Sequence, residues 1–219
     1  MSGAAEVRST DDYRTRLRRD RRWAREEVDL FFGKENEVYK SLRRIVDRLE
    51  SLGVPYALVG GLALNEHGYE RLTTDVDILV TAEGLRIIHE KLEGLGYVPP
   101  FAGSKHLKDT VSGVRIEFLV SGQFPGDGKP KPVVFPDPAQ ESVEIDGIRV
   151  LNLAKLIDLK LASGLSNERR GQDIIDVQKL IEALKLSAAF AEKLDPSVRA
   201  KFLDLHRIVT EVPDPYAEG

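Results

Sequence analysis

The hexapeptide Asp75-Val76-Asp77-Ile78-Leu79-Val80 constrains this chain more than any other stretch. Side chains of a β-strand alternate between its two faces, so Asp75 and Asp77 project together while Val76, Ile78 and Val80 point into a core. Two carboxylates side by side at a strand start repel each other when nothing lies between them. A hard divalent cation relieves that repulsion, and Mg2+ favours carboxylate oxygens together with substrate phosphates. A third acid stands in a second apolar strand, Val114–Val120, where Glu117 shares a face with Arg115 and Leu119. An acid inside such a strand has a role more often than an acid in a loop. For Glu117 the role is either to complete a two-metal clamp or to form a salt bridge with Arg115 or another basic residue.

A glycine pair, Gly60-Gly61, follows the short apolar strand Tyr56–Val59 and precedes a short helix, Leu62–His67. Without Cβ atoms, its backbone N–H groups can approach phosphate oxygens at a helix N-terminus. Close helix–sheet packing explains the pair equally well when it is taken alone. Asp75 lies fourteen residues beyond Gly61, and the combination is more informative than either part.

The remaining pattern alternates helices and strands before becoming helical. Val38, Leu42, Ile45, Val46, Leu49 and Leu52 line one face of a helix over Glu35–Leu52, with Gly53 as its stop and Pro55 just beyond. A helix over Glu83–Leu95 leads to an extended Tyr97-Val98-Pro99 and to strands at His106–Thr110 and Val114–Val120. Residues 121–140, with five prolines and three glycines, form a loop. Ser142–Leu151 reads as a hairpin turning at Asp146-Gly147. Helices follow at Leu153–Ala162, Glu168–Leu184, Ser187–Lys193 and Pro196–Val209, with Ser187 and Asp195 as N-caps. The expected class is α+β: a small mixed sheet flanked by helices, then a C-terminal helical region. The expected division is a charged helical arm over 1–33, a core over 34–151 and the helical region over 152–219.

The arm carries eight arginines among seven acids between Glu6 and Asp29. That mixture predicts a solvated helix laced with i,i+4 ion pairs. The sharper alternative is a grip on RNA or a protein partner through Arg18, Arg19, Arg21, Arg22 and Arg25. A net charge of -4 argues against a general nucleic-acid coat and leaves room for a local basic groove. The absence of cysteine removes disulfide frameworks, thiolate zinc sites and cysteine nucleophiles. No segment approaches the roughly 20 apolar residues that span a bilayer, and the N-terminus lacks the apolar stretch of a secretory signal. A cytoplasmic protein with no membrane partner is expected.

The segment VGGLALNEHGYERLTTDVDILV resembles the signature of the DNA polymerase β-like nucleotidyltransferase superfamily: a glycine pair, a short helix, Asp-x-Asp, and a later third acid. Arg71 and Thr73, ahead of the aspartates, resemble the AbiEii-type branch, which includes toxins of abortive-infection and toxin–antitoxin systems. Leu159-Lys160-Leu161-Ala162, Arg169-Arg170 and Asp173-Ile174-Ile175-Asp176 resemble that branch's downstream Lys and Asp motifs. The resemblance implies a nucleotidyltransferase-type sheet and two-metal transfer of NMP from an NTP to a hydroxyl. It assigns Asp75, Asp77 and Glu117 to Mg2+ or Mn2+ and to catalysis, with Lys160 as a further catalytic residue. It places the NTP over Gly60 and Gly61, near Arg71, Thr73, Thr74, Lys160 and Asp176. The implied acceptor is RNA or tRNA, protein or a small molecule, and an antitoxin-like partner is expected. The alternatives are an antibiotic-type small-molecule transferase and a catalytically silent binding or regulatory module. One departure is Leu62 after the glycine pair, where the family has a small hydroxyl residue or alanine; hydroxyl help to phosphate then falls to Thr73 or Thr74.

Overall fold

A computed structural model describes residues 12–211; the start of the arm and the last eight residues of the helical region lie outside the described residues. The arm forms two helices, α1 (Tyr13–Arg19) and α2 (Arg21–Phe32). Two aspartates set the break, since Asp12 accepts a hydrogen bond from Thr15 N and Asp20 accepts one from Trp23 N. The i,i+4 pair Arg22–Glu26 forms at 3.3 Å as expected. The single solvated helix does not: Tyr13, Glu27 and Phe31 are buried, and Tyr13 Oη donates to Glu27 Oε2 at 2.9 Å. Apolar residues scattered too thinly to show a stripe are enough to anchor the arm once the chain turns at Asp20.

Helix α3 (Glu37–Ser51) is capped by Asn36 and ends before Gly53, whose φ of 63° fits the left-handed stop that the sequence predicts. Its apolar stripe is buried from Val38 to Leu49, while Leu52, the C-cap, is only partly covered. Seven strands follow: β1 (Tyr56–Val59), β2 (Asp75–Val80), β3 (Tyr97–Val98), β4 (His106–Asp109), β5 (Arg115–Val120), β6 (Ser142–Ile145) and β7 (Ile148–Leu151). They form one mixed sheet in the order β3-β4-β5-β2-β1-β7-β6. Strand β1 runs antiparallel to β2, with Val59 opposite Asp77, and parallel to β7, with Leu58 opposite Val150. The β6–β7 turn rests on Asp146 and Gly147, both at positive φ, as the Asp-Gly pair requires.

Helix α4 (Gly60–Glu66) begins at the first glycine, two residues before the expected start, and α5 (Ala82–Leu92) follows β2. Residues 121–140 are a loop apart from α6 (Pro138–Glu141), a single turn running from the loop's end. The C-terminal helices are α7 (Leu153–Ser166), α8 (Gly171–Leu184) and α9 (Pro196–Glu211), with 3-10 turns at Glu168–Arg170 and Ala188–Lys193. The class is thus α+β, with a seven-stranded mixed sheet, flanking helices and a C-terminal helical region. No helix among the described residues is long and apolar enough to cross a membrane.

Two compact units divide the chain: Met1–Val54 with Leu72–Val76 and Glu83–Phe118, and Pro55–Arg71 with Asp77–Ala82 and Leu119–Gly219. In the first, Asp109 is buried and accepts from Arg44 Nε at 2.9 Å, Arg44 Nη2 at 2.6 Å and Val111 N at 2.8 Å. Burial raises its pKa, but these donors outweigh it and hold the carboxyl below the usual carboxylate range. In the second, α7 packs on α8 and α9. Gly164 lets α8 come close, because a Cβ there would lie 2.6 Å from Ile174 Cδ1. Asp158, buried on α7, accepts from Asp195 N at 2.8 Å ahead of α9, and burial raises its pKa.

Candidate active site

Strand β2 displays the alternation expected of it: Asp75 and Asp77 are half-buried, and Val76 between them is fully buried. In the first unit, both oxygens of Asp75 are engaged. Thr73 Oγ1 donates to Oδ1 at 2.9 Å and Arg14 Nη2 donates to Oδ2 at 2.8 Å. Arg14 Nε donates to Thr74 Oγ1, also at 2.8 Å. The two threonines predicted for the site therefore serve Asp75 and its arginine. Arg14 itself was invisible to motif reading, because it lies on the arm and meets Asp75 across 61 residues of chain.

Glu117 lies on the half-exposed face of β5 with Arg115 and Leu119, as the sequence predicts. Its Oε2 accepts from Arg115 Nη2 at 2.9 Å, so the expected alternative of a salt bridge to Arg115 is realised. His106 stands opposite Glu117 in the β4–β5 register, and its Nε2 lies 2.8 Å from the same Arg115 nitrogen. Arg115 Nε is buried and meets no acceptor.

In the second unit, Gly60 has φ 66° and lies against Asp77; a Cβ built on it would sit 1.9 Å from Asp77 Oδ2. A side chain there would have to push Asp77 aside, so Gly60 is favoured by contact as well as by conformation. Gly61, the second residue of α4, is buried. Arg71, at the end of this segment, receives its place from Asn65, whose Oδ1 accepts from Arg71 N at 2.6 Å. Its Nη1 donates to Asp176 Oδ2 at 3.0 Å.

Asp176 is wholly buried on α8 and also accepts from Lys160 Nζ at 2.7 Å and Gln172 Nε2 at 2.9 Å. Lys160, buried on α7, donates in addition to Asp173 Oδ1 at 2.9 Å. Ser163 Oγ and Arg170 Nε complete Asp173 at 2.7 and 2.9 Å. Burial pushes the Asp173 carboxyl up, while the Lys160 ammonium, the Ser163 hydroxyl and Arg170 together bring it below its ordinary value. The structure thus joins Arg71, Lys160, Asp173 and Asp176, which the sequence names separately, into one hydrogen-bonded set.

Carboxylate oxygens are the donors that a hard divalent ion takes, and Asp75, Asp77 and Glu117 each offer them. Among the described residues, no three His, Cys, Asp or Glu side chains group to hold a metal, and arginines cover Asp75 and Glu117.

No family model matches the sequence, and no curated protein matches it. Solved structures do. The solution structure of the antibiotic-resistance factor ANT(2″)-Ia superimposes with a TM-score of 0.52 at 14% identity, covering 76% of this chain and 93% of its own. The crystal structure of ANT(2″)-Ia with adenylyl-2″-tobramycin gives 0.48 at 15% identity, over 75% and 96%. The lincomycin-bound lincosamide antibiotic adenylyltransferase LnuA gives 0.43 at 20%, over 64% and 94%. The likeness to ANT(2″)-Ia shows a shared fold and carries nothing about the AbiEii-type branch.

Proposed function

We propose that this protein is a nucleotidyltransferase that moves NMP from an NTP to a hydroxyl acceptor. The observation that carries the reading is Asp77 set against a left-handed glycine whose added Cβ would collide with it, two residues along one strand face from Asp75, in a chain with this fold. Asp75, Asp77 and Glu117 would hold Mg2+ or Mn2+, which when bound supplies positive charge to the phosphates and lowers the pKa of the attacking hydroxyl. The acceptor oxygen forms a bond to the α-phosphorus, the bridging α–β P–O bond breaks, and pyrophosphate leaves. In this reading Glu117 takes the hydroxyl proton, directly or through water.

Arg71 is the cation of this set best able to meet the triphosphate, because it is partly exposed while Lys160 is buried. In this reading Lys160 and Asp176 act through Arg71 by fixing its guanidinium. In this reading the backbone N–H groups at Gly60 and Gly61 face the phosphates, Thr73 orients Asp75, and Thr74 holds Arg14.

The ion pairs on Asp75 and Glu117 favour a second reading, a silent module that keeps the fold without the chemistry. Calorimetric titration of each NTP with Mg2+ separates the two, using wild type and Asp75→Ala/Asp77→Ala. Metal-dependent binding of an NTP, lost in the double variant, is the expected result. Folded wild-type protein that binds no NTP would favour the silent module.

A further inference from the structure

Arg14 belongs to no motif, yet its guanidinium bridges Thr74 Oγ1 and Asp75 Oδ2. The other oxygen of Asp75 is held by Thr73, so the carboxylate has each oxygen engaged from within the chain. A divalent ion ligated by Oδ2 competes with this guanidinium, because two cations close to one carboxylate oxygen repel each other. Displacement is cheap for the helix. Helix α1 is held by Tyr13, which is buried, donates its hydroxyl to Glu27 and donates its N–H to Gly113 O at 3.1 Å. The Arg14 side chain is 45% exposed and can swing into water while its helix stays docked.

We propose that Arg14 is a displaceable counter-cation of Asp75, which occupies Oδ2 in the metal-free chain and yields it to a divalent ion. Arg14 thereby sets the metal affinity of the site. Once released, it remains tethered within its own side-chain length of Asp75, on the side from which it came. The inference rests on reading Asp75 as a metal ligand, and it names a residue outside that ligand set.

The test is Mn2+ binding to the full chain without nucleotide, followed by the electron paramagnetic resonance signal of the free ion. Arg14→Gln removes the competing charge and is expected to bind Mn2+ about fivefold more tightly, the ratio that a partly exposed ion pair supports. Arg14→Lys keeps the charge and should stay near wild type. Asp75→Asn should lose binding, and adding Arg14→Gln to it should bring no gain. Wild-type binding with Arg14→Gln equal or weaker would overturn the proposal and leave the metal site standing, with Arg14 merely orienting Asp75. No binding by any of these proteins would overturn both. Thermal melting of each variant confirms that it is folded.

Discussion

Gly60 and Gly53 share a left-handed backbone but not their surroundings. At Gly53, φ is 63° and nothing lies within 4 Å of an added Cβ; at Gly60, φ is 66° and Asp77 is in the way. Gly53→Ala should therefore cost only the backbone strain, about 1 kcal/mol. Gly60→Ala adds a collision and should cost roughly 1–3 kcal/mol more, as strained sites do. It should also displace Asp77 and abolish metal-dependent NTP binding, which Gly53→Ala should leave intact. Paired urea melts and NTP titrations check both; equal costs would mean that Asp77 turns aside freely. Residues of this kind were readable because strand alternation and the glycine pair are local patterns. Arg14 was not, because one long-range ion pair leaves no periodicity behind.

Helices α7 and α8 meet around buried charge, which makes their packing depend on pH. Lys160 joins Asp173 and Asp176 at 2.9 and 2.7 Å, so Lys160→Ala leaves two buried carboxylates without their shared ammonium. The expected loss is about 3 kcal/mol at pH 7, measured by chemical denaturation. Asp173 has its pKa lowered from an ordinary 3.8, so its contribution is complete above that value and fades as the pH falls through the lowered one. The gap between wild type and variant should accordingly narrow on acidification below 3.8. Unchanged stability together with lost NTP binding would instead return Lys160 to the triphosphate. The sequence located both helices, because their apolar periods are long. Their ends were less legible: α7 runs on to Ser166, and the start expected at Glu168 is a 3-10 turn ahead of α8. Contacts such as Gly164 against Ile174 decide those ends, and they belong to the packed pair rather than to either segment.

At the scale of the molecule, strand order was the least legible feature, since β1 finds a parallel partner in β7 far along the chain and local signals do not encode that pairing. The arm raises a related question, because its composition reads as a solvated appendage while its described part contributes buried side chains to the first unit. Phe31 packs edge-on against Tyr39 of α3 with ring centroids 5.4 Å apart, and Tyr13 packs similarly on Trp23. Each buried aromatic side chain is worth about 1.5–3 kcal/mol, so loss of Tyr13 and Phe31 costs roughly 3–6 kcal/mol. That is a large share of the ~5–15 kcal/mol by which a domain is stable. A chain beginning at Lys34 should therefore unfold at a much lower urea concentration than the full chain, or fail to fold. Full-length Tyr13→Ala/Phe31→Ala should lose most of the same stability, since the apolar contacts and not the arginines carry it. If the truncated chain kept the full midpoint, the arm would be an appendage after all, and Arg14 would then reach Asp75 from a helix that the fold does not need.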